Sequence, residues 1–156
     1  MNKPVRRKAG ITALAAAMAW LALPTSARAT LGEAAESVER DRAQFHARIA
    51  VRPQAHFSVH ELALGANVLV REFVDSSGRV FAVAWSGQSR PDLHQLLGSY
   101  HAQLAQAPVS AVRRRGPVIL HQGNIVFESG GHMRALRGRA YLTDALPAGV
   151  SVDEIR

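Results

Sequence analysis

Apolar and polar positions along this chain fall into blocks of different period. From Thr30 onward, Leu31, Ala34, Ala35, Val38 and Phe45 mark one stripe at helical spacing, while Glu36, Glu39, Arg40 and Arg42 sit off it. Thr30 with Glu33 three residues on fits a capping box, so the pattern predicts a first helix from Thr30 that ends between Phe45 and Arg48, before Pro53. The period then switches to two near Phe57, where Phe57 and Val59 alternate with Ser58 and His60. A Gly65-Ala66-Asn67 turn precedes a strand over Val68 to Val74, and Asp75-Ser76-Ser77-Gly78 precedes Val80 to Trp85. That last run is apolar without interruption, which predicts a central strand covered on both faces.

Pro91 and Asp92 suit a first helical turn, and Leu93, Leu96, Leu97, Tyr100 and Leu104 make a leucine-rich stripe. The spacing predicts one helix ending near Ala107, before Pro108. Val118 to Leu120 and Ile125 to Phe127 read as strands joined at Gly123-Asn124, with Gly130-Gly131 as the next turn and a longer strand from Met133 to Leu142. The implied fold is a single α+β domain over residues 30–146: a largely antiparallel sheet in two three-stranded runs, packed with two amphipathic helices. Residues 147–156 are expected to form a loosely packed tail.

The first 29 residues follow a different grammar. Lys3, Arg6, Arg7 and Lys8 precede an apolar run from Ile11 to Leu23, Pro24 breaks it, and Ala27 and Ala29 place small residues at a peptidase site. The run is shorter than the about 20 residues a permanent span needs. A cleavable signal peptide over 1–29 is therefore expected, with export by the general secretory route to the periplasm or beyond and no membrane span afterwards. Lys8-Ala9-Gly10 stands where a twin-arginine signal would continue with apolar residues.

Charge changes its meaning once that segment is set aside. The chain has 19 Lys and Arg against 12 Asp and Glu, but five of the bases lie in the first 29 residues, which hold no acid. The remainder is nearly balanced, which removes nucleic acid as a partner inferred from overall charge. Cysteine is absent, which excludes disulfides, thiolate metal sites, a cysteine nucleophile and a lipidated N-terminus.

No string with catalytic spacing is assembled. Among seven histidines, His56 and His60 share a side of one strand and His94 and His101 share a helix face, but no His-Glu-x-x-His helix is present, so no metal site or cofactor is assigned. Ser129-Gly130-Gly131-His132 brings a hydroxyl near an imidazole, though a hairpin turn explains its glycines, and no Gly-x-Ser-x-Gly elbow or phosphate-cradling loop occurs. Arg113-Arg114-Arg115 is the one charge run after residue 29, suited to phosphate or carboxylate groups. Trp85 is placed in the core, on the same side as Phe81 and Val83.

Thr30-Leu31-Gly32-Glu33, Val70-Arg71-Glu72-Phe73-Val74, Gly78-Arg79-Val80-Phe81-Ala82-Val83-Ala84-Trp85 and Pro91-Asp92-Leu93-His94-Gln95-Leu96-Leu97-Gly98-Ser99-Tyr100 form a series. It resembles the secreted proteobacterial family known as domain of unknown function 2844. The resemblance implies a small exported protein with no assigned catalytic residue and no cofactor. The sequence thus points to a non-catalytic binding or interaction module whose partner is another envelope protein or a surface polymer. Arg71, Glu72, Trp85, Asp92 and His94 are its candidate binding residues. Two alternatives stand beside it: a small periplasmic hydrolase using histidines, with or without a metal, and an outer-membrane-associated structural or assembly factor meeting anionic head groups through Arg113, Arg114 and Arg115.

Overall fold

Among the described residues, seven strands form one open antiparallel sheet: β1 (Arg48–Pro53), β2 (Phe57–Leu64), β3 (Val68–Asp75), β4 (Val80–Gly87), β5 (Val118–Gln122), β6 (Ile125–His132) and β7 (Ala135–Leu142). Their order across the sheet is β1-β2-β3-β4-β7-β6-β5. The computed structural model describes residues 31–65, 67–107 and 116–156. The expected signal peptide with Ala27 and Ala29, the proposed cap at Thr30, and Arg113, Arg114 and Arg115 all lie outside the described residues.

β4 occupies the middle of the sheet, and its six residues from Val80 to Trp85 are buried because each face has its own cover. On one face, α1 (Glu36–Gln44), α2 (Leu93–Leu97) and α3 (Ser99–Ala105) bring Val38, Leu96, Leu97 and Leu104 onto Leu62, Val70, Val83, Trp85, Phe127 and Leu142. The other face carries Val59, Phe73, Phe81, Ala84, Val126 and Tyr141 beneath the C-terminal residues. The α+β class and the antiparallel sheet agree with the sequence pattern.

Five local expectations are corrected. Helix α1 starts at Glu36, because Leu31 to Ala35 instead run beside β4: Gly32 N–H donates to Val80 O at 2.7 Å and Ala35 N–H to Gly78 O at 2.6 Å. β1 adds an edge strand where the pattern shows no strand, its residues being nearly all exposed. The leucine-striped helix is two, broken at Gly98, whose φ of 49° with ψ of −125° leaves the helical region. Gly130 and Gly131 lie within β6 and the turn falls at Met133–Arg134. A side chain at Gly131 would place its Cβ 2.2 Å from Ala135 O, so this glycine serves close strand approach rather than the turn. Finally, Phe81 is an extra residue in β4: Phe73 pairs with Ala82 and Val74 with Val80. This bulge turns Phe81 to the face opposite Val83 and Trp85, where it packs with Phe57 and Phe73.

The tail is docked, against expectation. Ile155 is fully buried among Phe73, Phe81 and their neighbours, and Ser151 forms a capping box with Glu154 around a single 3-10 turn, Val152–Glu154. Burying one isoleucine side chain is worth about 1.5–3 kcal/mol, enough to hold a short segment that also makes hydrogen bonds. Arg139 donates to Val152 O at 2.7 Å and to Ile155 O at 3.3 Å, and Arg71 donates to Arg156 O at 3.0 Å.

Candidate functional site

The docked tail creates a cleft on its own face of the sheet. Ile155 and Arg156 form one wall, Pro117 and Ile119 the other, and Ser86, Gly130 and Arg137 lie between them; its volume is about 420 Å³. Glycine at 130 keeps the floor low, with Pro117 packed where a side chain would project. Glu128 and Arg139 face each other across β6 and β7, and one guanidinium edge, Nε and Nη2, donates to both carboxylate oxygens at 3.0 and 3.1 Å. Arg139 is thereby spent on Glu128 and on the tail carbonyls. Arg137 is exposed and, among the described residues, its side chain has no ion pair or hydrogen bond. The cleft therefore joins an exposed apolar residue, Ile119 at 52% exposure, to an uncommitted guanidinium. Among the described residues no histidine lines it, so Ser86 and Ser129 have no imidazole base from them.

A second polar cluster lies beneath the helices. Glu72 on β3 and Asp41 on α1 are each 1% exposed, and Gln95 of α2 donates to Asp41 Oδ1 at 2.6 Å. Burial, then the charge and hydrogen bond of Asp41, push the Glu72 carboxyl well above the usual carboxylate range. Apart from Asp41, nothing among the described residues hydrogen-bonds to that carboxyl. His60 stands opposite Glu72 in register, its ring 3.1 Å from Ser58 Oγ, and burial lowers its pKa so that the neutral imidazole is favoured. This cluster fastens both helices to β3; it opens on no cleft described above.

The sequence-predicted residues are dispersed. Arg71 and Glu72 are consecutive in β3 and so face opposite sides of the sheet. Arg71 pairs with Glu61, which also holds Arg52, and ties down the tail. Trp85 is buried at 2% exposure beside Phe127 and spans Gly138, where a Cβ would come within 2.2 Å of the indole. Asp92 caps α2 by accepting from His94 N–H at 2.9 Å and Gln95 N–H at 3.2 Å. His94 packs its ring against His101 at 5.1 Å between centroids. Ser129 lies within a strand, not on the exposed turn a nucleophile needs. Among the described residues no group of three or more His, Asp or Glu side chains is placed to hold a metal, which argues against the metal-dependent hydrolase. No helix among them is long and apolar enough to cross a membrane.

Asp41, Ile119, Arg137, Glu128 and Arg139 had no sequence signal as a group, since the contacts that unite them run between strands or between helix and sheet.

The fold and cleft define an α+β domain built on an open antiparallel sheet, with its tail folded back as a wall. The chain belongs to the family of proteins of unknown function designated DUF2844, whose pattern matches residues 27–155. Neither a curated protein nor a solved structure matches the chain.

Proposed function

We propose that this protein is an exported, non-catalytic binding module of the cell envelope, and that the cleft beside the tail is where its partner docks. One observation carries this reading: an open cleft in which an exposed isoleucine and an uncommitted arginine share one surface, with no histidine beside its serines among the described residues. Apolar surface supplies affinity, and a guanidinium fork supplies selection for carboxylate or phosphate. The partner expected is another envelope protein or an acidic surface polymer.

The test is cross-linking capture from the native envelope with the wild-type chain and Arg137→Glu in parallel, read by mass spectrometry. A stoichiometric partner whose recovery falls sharply with Arg137→Glu supports the cleft. Recovery of the same partner in equal amount from both overturns it. Export is tested in the same cells by fractionation and N-terminal sequencing, where a mature chain starting at Thr30 is expected. A retained N-terminus refutes cleavage after Ala29.

A further inference from the structure

The two edges of the sheet are not alike. β1 carries Arg48 and Arg52 and ends at Pro53, features that discourage another strand from pairing there. Both edges expose an aliphatic side chain, Val51 on β1 and Ile119 on β5, but β5, Val-Ile-Leu-His-Gln, carries no Asp, Glu, Lys or Arg. Such an edge is a ready template for main-chain pairing unless something covers it. Gln122 and Ile125 flank the two-residue Gly123-Asn124 turn as a hydrogen-bonded pair, so the pairs alternate from there: Leu120 with Phe127 bonded, Ile119 with Glu128 and His121 with Val126 not. The N–H and C=O groups of Ile119 and His121 consequently point out of the sheet. Among the described residues no backbone group reaches them from that side.

The same strand borders the cleft. Ile119 and His121 fall on the face of the sheet that carries Glu128 and Arg139, and Ile119, Pro117 and Arg137 line one cavity. A strand laid along β5 sends every second side chain toward that face. Arg137 and Arg156 both line the cavity without a carboxylate partner among the described residues, whereas Arg139 is matched by Glu128. Charge complementarity thus selects an acidic side chain on the incoming segment.

We infer that β5 accepts an extended acidic segment of a partner protein as an additional strand, with main-chain bonds to Ile119 and His121 and a carboxylate reaching over Ile119 into the cavity that Arg137 lines. This rests on the binding-module reading and specifies its partner as a strand-forming acidic peptide.

The probe is a short fluorescent peptide alternating valine and glutamate, measured by anisotropy against the full-length protein, with a lysine-for-glutamate counterpart. His121→Pro removes an outward N–H and leaves the β5–β6 bonds in place, and N-methylation of alternate peptide residues blocks the same bonds from the other side without altering the protein. Binding of the acidic peptide that weakens about tenfold or more with His121→Pro and with N-methylation, and also with Arg137→Glu, supports the inference. Equal binding of the lysine peptide, or no binding of the acidic one, overturns it. Sensitivity to Arg137→Glu alone overturns strand addition while leaving the cleft as a binding site; insensitivity to all three changes overturns both.

Discussion

Replacing Glu72 by Gln is expected to stabilise the protein progressively as pH rises. The carboxyl is 1% exposed against Asp41, and both burial and that neighbour raise its pKa from an ordinary value of 4.5. The folded state therefore keeps a proton that the unfolded chain gives up above pH 4.5. Stability contributed by this group is fully present below that pH and declines as pH rises towards the folded pKa. While Glu72 stays protonated in the fold and ionised in the unfolded chain, each further pH unit lowers the folding equilibrium constant by about a factor of ten. Glutamine keeps the shape, cannot ionise and offers Asp41 an N–H donor. Urea unfolding of wild type and Glu72→Gln followed by the fluorescence of Trp85, at intervals from pH 5 to pH 9, reads the difference directly. A gap that widens with pH in favour of Glu72→Gln is expected. Two parallel pH profiles would refute the reasoning, because they would mean that Glu72 titrates alike in the folded and unfolded chains.

Other substitutions report on the remaining parts of the structure. Ile155→Ala should cost about 2–5 kcal/mol by thermal or urea unfolding, as a docked tail requires; a change near zero would restore the loose tail. Gly138→Ala should destabilise by about 1–3 kcal/mol or more, since the new Cβ meets the Trp85 ring at 2.2 Å and Glu128 O at 2.7 Å, with a matching shift in tryptophan emission. Asp92→Ala should cost about 1 kcal/mol through loss of the α2 cap, and Asp92→Asn much less. If Asp92 instead contacts a partner, capture will fall while stability holds.

Much of the architecture was legible because it is local. Turn residues at Asp75 to Gly78 and Gly123-Asn124 fixed two hairpins, and the unbroken run from Val80 to Trp85 marked the central strand. What escaped depends on distant partners. β1 is exposed at the sheet edge and lacks a clean alternation, so its backbone pairing with β2 decides its state. Leu31 to Ala35 carry a helical stripe, yet the backbone bonds to Gly78 and Val80 prevail. The bulge at Phe81 is invisible in a stretch where every residue is apolar. Among site residues, Asp92 is explained by capping and Arg71 by Glu61 and the tail, while the proposed cleft is lined instead by Arg137 and Ile119. Those two are an ordinary surface arginine and an ordinary strand isoleucine until the tail folds beside them.

The pairing of β4 with β7 has a consequence for the order in which the molecule assembles. Every other strand pair joins consecutive strands, so residues 48–87 and residues 118–142 can each form as a ladder of hairpins from nearby chain. Their union at the β4–β7 seam must wait for the closure of a long loop, whose entropy makes such contacts slow to form. The tail then crosses that seam, bonded to Arg71 in the first half and to Arg139 in the second. Until residues 152–156 dock, Arg71 and Arg139 lack these bonds, so the segment adds the last tie across a seam that the β4–β7 ladder has already joined.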